Sequence, residues 1–164
     1  VGLAYLPDPA SRDWSSLGGN AATNAGGMCC VKYGVTSAHV RAMQVVLASG
    51  EIIELGKATK KSVTTYDLLH LFIGSEGTLG IITKASMRIE KIPESMEFLS
   101  YGFKNISEGI EAARRIMTDR WRPAVIRLYD EADSAKLSSW LNLGVEGVLL
   151  VIMCMTTQPP LDLN

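Results

Sequence analysis

Two stretches of this chain could hold an anion without a basic side chain. The first, Ser15 to Gly27, contains GGNAATNAGG and sets Ser15, Ser16, Asn20, Thr23 and Asn24 among small residues. The second, Gly74 to Ile82, sets Ser75, Glu76 and Thr78 among Gly74, Gly77 and Gly80. Glycine lets a phosphate oxygen approach main-chain N–H groups without meeting a Cβ, and successive amides form a concavity with partial positive charge. Such a site suits the diphosphate of a cofactor that stays bound. The same composition also suits two tight structural turns, and composition alone leaves both readings open.

Other chemistry is sparse. No GxSxG, HExxH, Walker lysine motif or GxGxxG after a strand occurs. The two histidines, His39 and His70, lie on different segments without metal-ligand neighbours and read as partly buried side chains at element edges. Cys29, Cys30 and Cys154 lack zinc spacing. The adjacent pair would bridge only with strain. They read as reduced thiols of an intracellular, cytoplasmic protein, packed as small hydrophobes. No metal site is expected.

The chain has 164 residues, is 47% hydrophobic and carries a net charge of −1. That composition excludes disorder and argues against a nucleic-acid groove or a polybasic membrane surface. No apolar run approaches the roughly 20 residues of a spanning helix, so no integral membrane segment is expected. The longest run, Val145 to Met155, reads as a buried strand. The chain opens on Val1 inside a running segment, so its N-terminus reads as a cut.

The elements that must position the two glycine-rich stretches follow from patterning. Val1 to Leu6 is a short apolar start, stopped by Pro7, Asp8 and Pro9. Val40–Ala48 and Glu51–Leu55 flank Ser49-Gly50 and predict a hairpin. Lys57 to Thr65 reads as a loop. Asp67 caps a short helix expected to bury Leu68, Leu71 and Phe72, and Gly74 ends it. Leu79–Ile92 predicts a strand with Ala85, Met87 and Ile89 on one face, closed by Pro93. Composition shifts after Glu94. Phe98–Phe103 predicts a strand, and Asn105 with Glu108 a capping box opening an amphipathic helix to about Arg120. Ala124–Leu128, Glu131–Leu141 and Val148–Met155 then predict strand, helix and strand. The expected order from Phe98 is β-α-β-α-β.

The stretches Asp8–Gly27, Lys32–Gly34 (KYG), Tyr66–Thr83 (YDLLHLFIGSEGTLGIIT) and Ile92–Glu94 together resemble the FAD-linked oxidases. The type is that of vanillyl-alcohol oxidase and p-cresol methylhydroxylase (PCMH-type). The branch with glycolate oxidase D subunits and D-lactate dehydrogenases is the most similar. Pro123–Asp130 (PAVIRLYD) also resembles alkyldihydroxyacetonephosphate synthase, of the same superfamily. The likeness covers roughly residues 1 to 155.

The resemblance implies an α+β fold. Residues 1–94 would form the second subdomain of a PCMH-type FAD-binding domain, an antiparallel sheet with few helices. Residues 95–164 would open an α+β substrate (cap) domain. FAD would be the cofactor. The implied contacts are Pro9, Ser15, Ser16, Gly18, Gly19, Asn20, Thr23, Asn24, Ala25 and Gly26 near the diphosphate and flavin. Glu76, Gly77, Thr78, Gly80, Ile81 and Ile82 would lie near the ribose and adenine. Glu76 would accept from a sugar hydroxyl or cap its loop. Lys61 would approach the flavin or stand in solvent. Thr65 stands where most relatives have glycine.

The implied reaction is oxidation of a D-2-hydroxy acid, of glycolate or D-lactate type, by hydride transfer to flavin, in an FAD-dependent oxidoreductase acting on a small-molecule substrate. The first FAD subdomain is missing, so it would come from the same chain or a separate subunit, and this chain alone would be inactive. No residue matches the family's downstream catalytic segment, so the catalytic residues are unknown. Two alternatives stand beside this reading. One is an alkyldihydroxyacetonephosphate synthase-like flavoenzyme, in which Arg127 faces a substrate anion rather than pairing with Asp130. The other is a non-catalytic subunit of a split flavoprotein.

Overall fold

A computed structural model describes residues 2–59, 61, 63 and 66–157. The position of Thr65 and the tail from Gln158 onward lie outside the described residues. The chain divides into two units, Val1–Ile92 and Pro93–Asn164.

The first unit runs β1 (Leu3–Ala4), α1 (Leu17–Ala22), α2 (Cys30–Tyr33), a 3-10 turn (Thr36–Ala38), β2 (Val40–Val46), β3 (Ile52–Gly56), α3 (Leu68–Phe72), β4 (Ile81–Met87) and β5 (Glu90–Lys91). Strands β3, β2 and β4 form an antiparallel sheet in that order, and β1 pairs with β5. The β2–β3 hairpin forms where Ser49-Gly50 predicts it: Gly50 takes φ +85° and the Leu47 amide closes the turn on the Glu51 carbonyl at 2.8 Å.

Alternation sets the core. Met43 pairs with Leu55 and Val45 with Ile53, so these side chains share a face. Ala21 from α1 and Leu69, Phe72 and Ile73 from α3 join them. Asp67 caps α3 as expected, its carboxylate accepting the His70 amide at 3.2 Å. The buried helix face differs from expectation. Leu69 and Phe72 point inward at i, i+3 spacing, while Leu68 and Leu71 are 48% and 57% exposed. A five-residue helix turns too little to bury both sets.

Strand β4 is shorter than the alternation predicts. The chain leaves the ladder after Met87, the Arg88 amide closes on the His39 carbonyl at 2.6 Å, and Ile89 is half-exposed. That break frees Glu90 and Lys91 to pair with β1. His39 is fully buried rather than at an edge. Its Nε2 lies 2.9 Å from the Tyr33 carbonyl, its Nδ1 3.3 Å from that of Arg88, and Tyr5 packs against its ring edge-on. His70 instead stands at the surface, paired with Asp67 at 2.7 Å. Of the thiols, Cys29 is buried as a small hydrophobe and Cys30 Sγ accepts the Gly27 amide at 2.9 Å. Burial pushes the Cys29 thiol up.

The second unit follows the predicted order: β6 (Ser95–Phe103), α4 (Ile106–Thr118), β7 (Val125–Tyr129), α5 (Glu131–Leu141) and β8 (Val148–Thr156). The sheet order is β6-β8-β7, all antiparallel. Gly109 lets α4 lie close on the sheet, since an added Cβ would stand 2.6 Å from Leu128 Cδ1. Asn105 caps α4 through the Glu108 amide at 3.0 Å. Asp130 caps α5 through the Asp133 amide at 2.8 Å, so it is taken and forms no ion pair with Arg127 among the described residues. Ser134, buried under α5, donates to the Tyr129 carbonyl and accepts from the Leu149 amide, tying β7, α5 and β8 together. Cys154 is exposed, because β8 loses its cover beyond Met153. Among the described residues no helix is long and apolar enough to cross a membrane.

Candidate cofactor-binding site

The first glycine-rich stretch is not a loop throughout. Leu17–Ala22 forms α1 despite its two glycines, with Ser16 as N-cap accepting the Gly19 amide through Oγ at 3.0 Å. Tertiary packing outweighs glycine's weak helix propensity. Ala21 is fully buried, and Gly18 lies against β4, where an added Cβ would stand 3.7 Å from the Ile82 carbonyl.

The two stretches are joined. The Gly74 amide donates to the Ala21 carbonyl at 3.0 Å and the Glu76 amide to the Ala22 carbonyl at 2.9 Å. The last turn of a helix leaves carbonyls without partners, and here the second stretch supplies them. Asn24 and Glu76 both sit in the left-handed region, at φ +47° and +50°. Gly77, at φ +79°, faces open space: an added Cβ would meet nothing within 4 Å.

The sequence-derived site residues fall into three groups. Ser16, Gly19, Thr23, Gly26, Glu76, Gly77, Thr78 and Ile81 are exposed. Of these, the Thr23 hydroxyl donates to the Gly19 carbonyl and that of Thr78 to the Ser75 carbonyl, which leaves their oxygens as acceptors. Ser15, Gly18, Asn24, Ala25, Gly80 and Ile82 are half-buried. The Asn24 side chain turns inward and accepts the Ser37 amide at 2.9 Å, and the Ala25 carbonyl accepts both the amide and hydroxyl of Thr36. Pro9 and Asn20 are buried.

Gly80 has a structural reason of its own. An added Cβ would stand 2.7 Å from both Val45 Cγ1 and the Val46 carbonyl, so glycine lets β4 meet β2. Ile82 packs on the core, while Ile81 faces the other way and is 69% exposed. It pairs with Val46, which also pairs with Ile52. The three make an apolar row on the sheet face away from the core. Sequence reasoning missed this row. Its signal was the doublets Val45-Val46, Ile52-Ile53 and Ile81-Ile82, which make both faces apolar at once.

The hydroxyl of Ser15 is buried without a hydrogen-bond partner among the described residues. An orphaned hydroxyl calls for an acceptor or donor from outside the chain. With it stand the exposed Gly19, whose amide is already held by Ser16 Oγ, and the open space at Gly77. These residues fit a dinucleotide diphosphate gripped by amides and hydroxyls. Lys61 is exposed, its carbonyl accepting the Thr59 hydroxyl at 3.1 Å. No group of His, Cys, Asp and Glu is arranged to hold a metal among the described residues.

Residues 1–56 match the family described as FAD binding domain. The chain is 35% identical over 161 residues to Glycolate oxidase subunit GlcD of Bacillus subtilis (strain 168), covering 98% of this chain and 34% of that protein. It is 42% identical over 130 residues to the D-lactate dehydrogenase of Anaerostipes hadrus, covering 79% of this chain and 27% of that protein. To the D-2-hydroxyglutarate dehydrogenase of Stutzerimonas stutzeri (strain A1501) it is 46% identical over 101 residues, covering 62% of this chain and 22% of that one. Among solved structures, an alkyldihydroxyacetonephosphate synthase is similar with a TM-score of 0.76 and 27% identity, covering 94% of this chain and 31% of the other. The match therefore spans between 22% and 34% of the length of these relatives.

Proposed function

From the premise that the chain belongs to the FAD-linked oxidase family, with FAD as its cofactor, we propose that it is the second FAD subdomain and the opening of the substrate domain of a flavoenzyme that oxidises a D-2-hydroxy acid. The observation that carries this is the bonding of the loop at 74–80 onto the end of α1, which presents both glycine-rich stretches as one backbone surface. Relatives named for glycolate, D-lactate and D-2-hydroxyglutarate support the substrate class.

When bound, FAD supplies the hydride acceptor for the carbon bearing the substrate hydroxyl. This chain's part is to bind and orient. The hydroxyls of Ser15 and Ser16 and the glycine-rich backbone beside them hold the diphosphate, and Gly77 lies on the ribose and adenine side. Glu76 is exposed, so a ribose hydroxyl can donate to its carboxylate. Asn24 and Ala25 act indirectly, since their bonds to Ser37 and Thr36 fix the turn after α1. A complementary subdomain, from the same chain or a separate subunit, completes the cleft. Unbridged thiols at Cys29, Cys30 and Cys154 support a cytoplasmic location.

Anaerobic mixing of the flavin-loaded full-length protein with D-lactate, glycolate and D-2-hydroxyglutarate tests the reading. Bleaching of the oxidised flavin band by at least one acid is the expected result. No bleaching by any of them overturns the substrate class. It would favour the second reading, an alkyldihydroxyacetonephosphate synthase-like reaction, which the structural likeness over 94% of this chain supports.

A further inference from the structure

At the opposite end of the first unit's sheet, a cavity of about 490 Å³ lies among the start of β2, the end of β3 and the start of α3. It stands apart from the glycine-rich surface: β2 runs from Arg41 at this cavity to Val46 beside Ile81, about 17 Å along an extended strand.

Its two cations and two acids differ in how they are engaged. Arg41 and Lys57 line it, and so do Glu54, Asp67 and His70. Both acids are already engaged. Glu54 accepts from Gln44 Nε2 at 2.6 Å, and Asp67 accepts the His70 amide at 3.2 Å and contacts the His70 ring at 2.7 Å. Neither cation forms an ion pair or side-chain hydrogen bond among the described residues, and Arg41 is half-buried. Arg41, half-buried as a residue and without a side-chain partner among the described residues, favours an anion beside it.

The backbone holds the two cations together. The Lys57 amide donates to the Arg41 carbonyl at 3.1 Å. That closure needs Gly56, which takes φ +74° and approaches so closely that an added Cβ would stand 2.4 Å from the Arg41 carbonyl. The cavity is not polar throughout. Val40, Leu55 and Leu69 are buried along it, and Leu68 and the Tyr66 ring are exposed at its side.

We propose that this cavity binds a small organic carboxylate with an apolar body, the carboxylate held between Arg41 and Lys57 and the body laid on Val40, Leu55 and Leu68. Guanidinium and ammonium supply complementary donors, the first as a planar fork and the second as a point charge. The apolar wall selects against a bare inorganic anion.

The test is a titration of the isotopically labelled full-length protein followed by amide NMR, with butyrate, inorganic phosphate and n-butanol as probes. Butyrate should shift the Arg41, Lys57 and Leu68 amides saturably, with phosphate and butanol each at least about ten-fold weaker. Arg41→Gln and Lys57→Gln should each weaken butyrate by about five-fold or more. Retained Met43 and Val45 shifts identify a folded variant, and Lys57, being exposed, keeps the test valid if the Arg41 variant does not fold. No saturation, equal binding of phosphate or butanol, or undiminished binding by the folded variants overturns the proposal.

Discussion

The amide of Glu76 donates to the carbonyl oxygen of Ala22 at 2.9 Å, across a separation of more than fifty residues. The bond ends α1 and shapes the loop at 74–80 in one contact. Glu76 must take φ +50° to make it, a conformation an L-residue adopts at a cost of about 1–2 kcal/mol. Strain kept at a glycine-rich surface is what a binding loop held in one shape would show. The first consequences concern that surface.

Gly77→Ala should leave the chain folded and weaken FAD. The added methyl meets no protein atom within 4 Å, so nothing in the fold resists it except φ +79°. That backbone penalty is about 1 kcal/mol. The methyl would occupy space proposed for the ribose and adenine side of the cofactor. Isothermal titration of the full-length protein with FAD should show a loss of about ten-fold or more. Unchanged affinity would remove Gly77 from the site.

Ser16→Ala should destabilise the first unit by about 1 kcal/mol, the usual worth of an N-cap hydroxyl. The lost bond is that to the Gly19 amide at 3.0 Å. Urea unfolding reads the change as a lower midpoint at unchanged slope. Asn or Asp at this position should restore most of it, because either side chain can accept the same amide. A shortfall of the Asn variant in FAD binding but not in stability would assign the hydroxyl a second role at the ligand.

What the sequence reveals here depends on whether a signal is local. The hairpin at Ser49-Gly50, the Asp67 cap, the Asn105 capping pattern and the β-α-β-α-β order are written in short-range patterns, and each forms. Helix α1 was hidden because LGGNAA has no 3.6-residue apolar period, and its formation rests on Ser16 and on packing against β4. The inward face of α3 is not legible locally because four large apolar residues stand within five positions, and tertiary contacts bury Leu69 rather than Leu68. His39 and Cys154 differ for the same reason: burial of a single residue depends on partners far along the chain. The joining of the two glycine-rich stretches was invisible for that reason too, although their composition marked each of them.

Gly80→Ala should cost stability with little direct effect at the ligand. An added methyl would be pressed to 2.7 Å from Val45 Cγ1 and from the Val46 carbonyl. Neither neighbour yields cheaply, since Val45 is fully buried and Val46 is held in the ladder on both sides. Overpacking of this kind costs about 1–3 kcal/mol. Thermal unfolding should therefore fall by several degrees, roughly as expected for a domain of this size. If the melting temperature holds while FAD affinity falls, Gly80 belongs to the binding surface instead of the sheet.

The last prediction concerns the second unit. Glu111 on α4 accepts from Arg114 Nε and Nη2 at 2.7 Å each and from Arg115 Nε at 2.9 Å. The Arg114 bonds, then those of Arg115, hold its carboxyl down from 4.5 to about 2. The folded value lies below the unfolded one, so the fork contributes stability above pH 4.5 and loses it as pH falls toward 2. All three side chains are exposed, so salt should shrink the effect. A carboxyl-carbon NMR titration should find Glu111 ionised when the other exposed glutamates have protonated. Arg114→Ala should return its titration most of the way to the ordinary range, and Arg115→Ala by less, because Arg114 supplies two of the bonds. Equal shifts in the two variants would mean that field strength rather than the bidentate fork sets the value, and an unchanged midpoint in both would dissolve the fork altogether.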